Sequence, residues 1–184
     1  MTERDVYPVD VNGVKRELRL FEVAPGLRIA ILNILGDAEL TVAAAEGLTE
    51  KLADTDYDVF ITAEAKSIPL AHAIAVASGK PYVILRKNYK AYMGDVITSE
   101  TVSITTGKKQ TLILDEKDHS LIKGKKVVLL DDVISTGSTL EAMKKIVDIA
   151  GGEVVASAAI CTEGAPGDWA DVVALGHLPL FKDE

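Results

Sequence analysis

The chain has 184 residues, 48% of them hydrophobic, enough for one domain with a sizeable core and too few for two ordinary ones. A formal net charge of −8 and one cysteine, Cys161, argue against a broad basic surface for nucleic acid or anionic membrane, and exclude an internal disulfide and a cysteine-based metal cluster. What they predict is a soluble cytoplasmic protein with a small-molecule partner, because no segment has the apolar length of a leader or a membrane span.

Residues 14 to 34 mix an alternating pattern with the turn Ala24-Pro25-Gly26, predicting one or two short strands that form an N-terminal flap. From 38 to 53, Leu40, Ala44, Leu48 and Leu52 recur every four residues and share one helical face. Asp58 to Thr62 reads as a buried strand, followed by a helix capped by Ser67, carrying Pro69 in its first turn and ending at Gly79. Pro81 to Leu85 is another strand, and the polar stretch Arg86 to Asp95 reads as a mobile loop. Residues 98 to 105 and 110 to 114 alternate around Thr106-Gly107-Lys108-Lys109, the pattern of a hairpin arm. Lys125 to Leu130 reads as a strand whose run Val127 to Leu130 is wholly apolar. Leu140, Met143, Val147 and Ala150 mark the helix after it, Gly151-Gly152 ends that helix, and Glu153 to Ile160 is the last core strand. Strands alternating with helices predict an α/β fold, a mostly parallel sheet flanked by helices, with ligands beyond the carboxyl ends of the strands.

The stretch Asp131-Asp132-Val-Ile-Ser-Thr-Gly-Ser-Thr139 lies at such an end. Two adjacent carboxylates need a cation or hydroxyl donors, and a sugar diol or Mg²⁺ supplies either. The free N–H groups and hydroxyls of Ser135, Thr136, Gly137, Ser138 and Thr139 converge at the positive end of a helix, an anion cradle. Ser138 with Glu141 also fits a capping box, which accounts for part of the same loop. No GxxxxGK[ST] or GxGxxG occurs. A diol-binding acidic pair followed by a phosphate cradle describes a site for a phosphorylated ribose.

These residues resemble the 5-phosphoribosyl-1-pyrophosphate (PRPP) motif of the type I phosphoribosyltransferases, purine type, and the other elements of that family follow in order along the chain. The resemblance implies one phosphoribosyltransferase domain over 1–184, with an N-terminal hood at 1–36 and a flexible loop and hairpin at 88–114. It implies purine salvage: transfer of the phosphoribosyl group from PRPP to a purine base, adenine first, with Mg²⁺ as cofactor and a homodimer as the assembly. Ala65, Lys66 and Ser67 resemble the pyrophosphate loop, and Arg86, Lys87 and Lys90 the basic residues that contact PRPP phosphates. Leu27, Asn33, Ile134 and Glu163 are the base-binding candidates. Asp131 and Asp132 are the catalytic pair, touching metal mostly through Mg-PRPP. Lys66 stands where many adenine-type relatives carry arginine, and Ile104-Thr-Thr-Gly107 replaces their Leu-Glu-Tyr-Gly signature. Ile31-Leu-Asn33 is similar to xanthine-specific relatives. Xanthine or hypoxanthine/guanine transfer, and a noncatalytic PRPP sensor, are the alternatives. His72 reads as a packing residue and His119 as solvated. Tyr89, Tyr92 and Met93 could stack a base, and Trp169 could close the hood or a dimer contact.

Overall fold

The computed structural model describes residues 5–102, 109–165 and 167–182. Its centre is a five-stranded, all-parallel sheet of β4 (Val59–Ala63), β5 (Tyr82–Leu85), β8 (Lys126–Ile134), β9 (Glu153–Glu163) and β10 (Val172–Leu178), in the order β10-β9-β8-β4-β5. These strands read as apolar runs because both faces are covered. Phe60, Val128, Leu130, Ala158 and Ile160 pack beneath α1 (Ala38–Lys51) and α2 (Ile68–Ser78). Their sequence neighbours Val59, Ile61, Val127 and Leu129 pack on the other face against α4 (Ser138–Ala150). A short helix, α3 (His119–Ile122), adds Ile122 to that second core.

Helix boundaries follow local chemistry. Asp37 caps α1 by accepting from Leu40 N at 3.1 Å, and the Arg16 guanidinium beside it holds its carboxyl below the usual range against the opposing effect of burial. Gly79 closes α2 in the left-handed conformation at φ 69°, as expected from sequence. Ser67 holds the cap position of α2, as expected, but makes no side-chain capping bond: it takes a helical conformation and turns its hydroxyl elsewhere. Ser138 does not cap α4 either, since Gly137 holds that position at φ 76° and no side-chain capping bond forms, so the capping-box reading is overturned.

The N-terminal flap is larger than expected. β1 (Val6–Val11), β2 (Val14–Ala24) and β3 (Leu27–Ala30) form an antiparallel sheet completed by β11 (Phe181–Lys182), more than 150 residues later in the chain. The hairpin turn Asn12-Gly13, with φ 50° and 87°, supplies the two positive φ values a tight turn of this hand needs, a signal the sequence reading passed over. β10 was also unforeseen.

The expected arm is present as β6 (Ile97–Val102) paired antiparallel with β7 (Lys109–Leu114), while the residues of its tip, Ile104 to Gly107 among them, lie outside the described residues. The stretch Arg86 to Asp95, expected to be mobile, is tied down. Arg86 and Ile113 exchange backbone hydrogen bonds at 2.9 and 2.8 Å, Met93 is 1% exposed, and Asp95 N–H donates to Glu116 at 2.8 Å. Buried Leu112 and Leu114 join the core beside α4, so the stem of the arm is part of the sheet's covering layer.

Candidate active site

The chain runs from β4 outward to β5 and then crosses back over β4 to β8, so strand order reverses between β4 and β8. In open α/β sheets the crevice at that reversal is where ligands bind. β4 stops pairing with β8 at Thr62–Leu130, whereas β8 continues beside β9 as far as Ile134–Thr162. Asp131 and Asp132 therefore lie inside β8, not beyond its end, on the part that β4 has left.

Successive strand residues point to opposite faces. Asp132 leans toward the hood, where Lys66 Nζ stands 3.4 Å from its Oδ2 and 3.4 Å from the Leu32 carbonyl. Asp131 borders the α4 side, lining the recess of the cradle loop. Both turn one oxygen to Ser67, whose Oγ is 3.0 Å from Asp131 Oδ1 and 3.3 Å from Asp132 Oδ1. Asp131 Oδ1 also accepts from Asp132 N at 2.9 Å. Burial, then the neighbouring Asp132 charge, raise the Asp131 carboxyl well above the usual carboxylate range. Asp132 Oδ2 is buried without a hydrogen-bond partner, its ion-pair distance to Lys66 lacking hydrogen-bond geometry. A buried oxygen of this kind fits a cation or a donor hydroxyl.

A cavity of about 260 Å³ opens over these acids. Ala65, Lys66, Ser67, Lys87, Asp131, Asp132, Ser138 and Thr139, all anticipated from sequence, line it. Adjoining it, residues Ser135, Thr136, Gly137, Ser138 and Thr139 wrap one small recess together with Ile134 and Asp131. The hairpin stem adds Thr101, Gln110 and Leu112 to the main cavity, three residues that sequence reasoning missed. Thr101 is 7% exposed and its hydroxyl has no partner. The alternation of β6 puts Thr101 on the same face as Ser99, but only the packing of β6 on α4 turns that face to the site.

Other candidates stand apart. Arg86 is held by Glu64 at 2.7 Å and lines a separate cavity of about 410 Å³ with Asp115, Lys117 and Asp118. Glu64 also accepts from Lys87 N at 2.7 Å. Burial pushes its carboxyl up, but the Lys87 amide and the Arg86 guanidinium outweigh this and hold it below the usual range. Lys90 is exposed and outside the cavity lining. Leu27 is paired in the hood sheet with Lys182. Asn33 borders a third cavity of about 370 Å³ beneath the hood, with Arg19, Phe21 and Leu32. Glu163 is 9% exposed at the end of β9, its carboxyl raised by burial, and its carbonyl accepts from Trp169 Nε1 at 3.1 Å. His72 is exposed and meets Tyr82 edge-on rather than packing in a core, and His119 is half-buried with Nε2 unpartnered rather than solvated. Tyr89 and Tyr92 are exposed.

Among the described residues no three His, Cys, Asp or Glu side chains converge as a metal cage. The acidic pair with its unpartnered oxygen suits a divalent ion that arrives already chelated by its ligand.

The family model described as "Phosphoribosyl transferase domain" matches residues 33–172. The chain is 35% identical over 126 residues to the adenine phosphoribosyltransferase of Thermosipho africanus, covering 68% of this chain and 71% of that one. It is 39% identical over 104 residues to a hypoxanthine/guanine phosphoribosyltransferase of Methanococcus maripaludis, covering 56% of this chain and about half of that enzyme's length. In fold it is similar to the adenine phosphoribosyltransferase of Giardia lamblia solved with 9-deazaadenine, with a TM-score of 0.67 at 18% identity over 94% of this chain and 93% of that one.

Proposed function

Because the chain belongs to the phosphoribosyl transferase domain family, we propose that it joins a purine base, adenine before others, to C1 of PRPP, giving a nucleoside 5′-monophosphate and pyrophosphate in purine salvage. The observation that carries the reading is the meeting, at the strand-order reversal, of Asp131, Asp132 and Ser67 with the cradle of residues 135 to 139. In this reading one domain spans the chain, and it acts in the cytoplasm as a homodimer.

The cradle holds the 5′-phosphate of PRPP through the hydroxyls of Ser135, Thr136, Ser138 and Thr139 and the N–H groups at the start of α4. Asp131 and Asp132 hold the ribose diol, and the negative charge the pair retains favours the cationic character that C1 gains as its bond to pyrophosphate breaks. Lys66 and Lys87, both at the cavity wall, face the departing pyrophosphate. Arg86 acts at one remove, through Glu64, which fixes the backbone of Lys87. Asp131 and Asp132 would hold a Mg²⁺ ion that arrives with PRPP, and that ion would supply positive charge against the departing pyrophosphate. The Thr101 and Gln110 wall keeps water from C1. Leu27, Asn33, Ile134 and Glu163 keep their assignment to the base side, of which Ile134 is nearest the cradle.

Incubation of the protein with PRPP, Mg²⁺ and each of adenine, hypoxanthine, guanine and xanthine tests the reading. Adenine is expected to yield nucleotide fastest, and nucleotide from none of the four would remove the claim. Preference for hypoxanthine or guanine is the second reading, favoured by the 39% identity to the Methanococcus enzyme and by the missing adenine signature at Ile104 to Gly107.

A further inference from the structure

The loop that follows β9 packs against the phosphate cradle. Ala165 N–H donates to Asp168 Oδ2 at 3.1 Å and Asp168 N–H to the Ala165 carbonyl at 3.2 Å, which holds the residue before Trp169 in place. The indole Nε1 donates to the carbonyl of Glu163, the last residue of β9, at 3.1 Å. The far edge of the ring then lies over Gly137, so close that a Cβ on Gly137 would sit 2.6 Å from Trp169 Cη2. Gly137 is the residue at φ 76° that sets the start of α4, and the residues on either side of it line the cradle recess. Trp169 is absent from the lining of that recess, so it backs the loop from outside.

We propose that Trp169 is a positioning residue for the phosphate cradle, holding Gly137 in its left-handed conformation and tying it to the end of β9. Gly137 has no side chain to restrain it, and a free glycine samples positive and negative φ about equally. A loop in that state points its N–H groups in many directions. The ring removes that freedom on the side away from the ligand, which leaves the cradle formed before the phosphate arrives. The same ring is hydrogen-bonded to the Glu163 carbonyl, so the cradle is fixed against the end of β9 rather than left to its own loop.

This inference rests on the proposed reading of residues 135 to 139 as a phosphate site, and binding of ribose 5-phosphate, which requires no turnover, separates the two. Trp169 is the chain's one tryptophan, so its fluorescence reports this contact directly. Ribose 5-phosphate should change the emission of the native protein, with Trp169→Ala weakening its binding about tenfold to hundredfold and raising KM for PRPP alike. KM for the base at saturating PRPP should stay within about twofold, and Trp169→Phe, which keeps a ring on Gly137, should retain most of the affinity. Unchanged ribose 5-phosphate affinity in a folded Trp169→Ala protein would overturn the inference and leave the phosphate site standing. So would a rise in KM for the base with none for PRPP, which would make the ring a base platform. Failure of the native protein to bind ribose 5-phosphate or PRPP would instead remove the reading on which the inference depends.

Discussion

Asp131 and Asp132 are neighbours in sequence but serve opposite faces of β8, and one hydroxyl, that of Ser67, reaches both. Their proximity costs stability whenever both are ionised. Because the folded Asp131 carboxyl lies above its unfolded value, the native state binds the extra proton. The associated stability is complete below the ordinary carboxylate range and is lost as pH rises toward about 8. Asp131→Asn should therefore raise Tm by about 2–4 °C at pH 8, with a smaller gain at pH 5, where the native carboxyl is already neutral. The same variant, and more so the double change with Asp132→Asn, should lose turnover while circular dichroism stays unaltered. Glu64 behaves with the opposite sign. Its folded carboxyl is depressed by Lys87 N–H and Arg86, so its contribution is present above the ordinary range and lost as pH falls. Glu64→Gln should cost about 1–3 kcal/mol at pH 7 by urea denaturation, with the difference shrinking toward pH 3. It should also raise KM for PRPP, since Lys87 loses its anchor at the cavity wall.

At the scale of elements, the arm is the instructive case. Alternation correctly predicts the β6–β7 pair, and a polar composition before it suggests looseness, yet Leu112, Ile113 and Leu114 are nearly inaccessible and Ile113 pairs with Arg86. The stem is a wall of the cavity, to which Thr101, Gln110 and Leu112 belong. Leu114→Ala should destabilise the fold by about 2–5 kcal/mol, the cost of a core cavity, rather than by the few tenths expected of a mobile flap. Amide exchange in β6 and β7 should slow to the level of neighbouring β5; exchange as fast as in an open loop would refute the wall. The two expected side-chain caps fail for different reasons: Ser67 on α2 turns its hydroxyl to Asp131 and Asp132, whereas Ser138 on α4 is displaced from the cap position by Gly137.

At the scale of the molecule, the N-terminal sheet is closed by β11, and Tyr7 meets Phe181 edge-on with ring centroids 5.4 Å apart. Phe181→Ala should lower stability by about 1–2 kcal/mol while leaving KM for PRPP unchanged, because the hood seals away from the cradle; calorimetry and a PRPP titration check both. Hydrophobic periodicity and turn chemistry, both local, were enough to read α1, α2, β4, β5, β8 and α4, the parallel sheet, and the acidic pair with its hydroxyl-rich loop. Those signals are carried by a few consecutive residues and need no distant partner. Everything that pairs segments far apart in the chain had to await the tertiary structure: β11 on β3, Thr101 and Gln110 in the cavity, Arg86 drawn to Glu64, and Trp169 on Gly137. The physical reason is that a side chain's partner across the fold is chosen by the packing of whole elements, which sequence spacing does not encode. Thus the chemistry of the site was written in the order of its residues, whereas which of the basic and polar groups face it was decided by how the layers close.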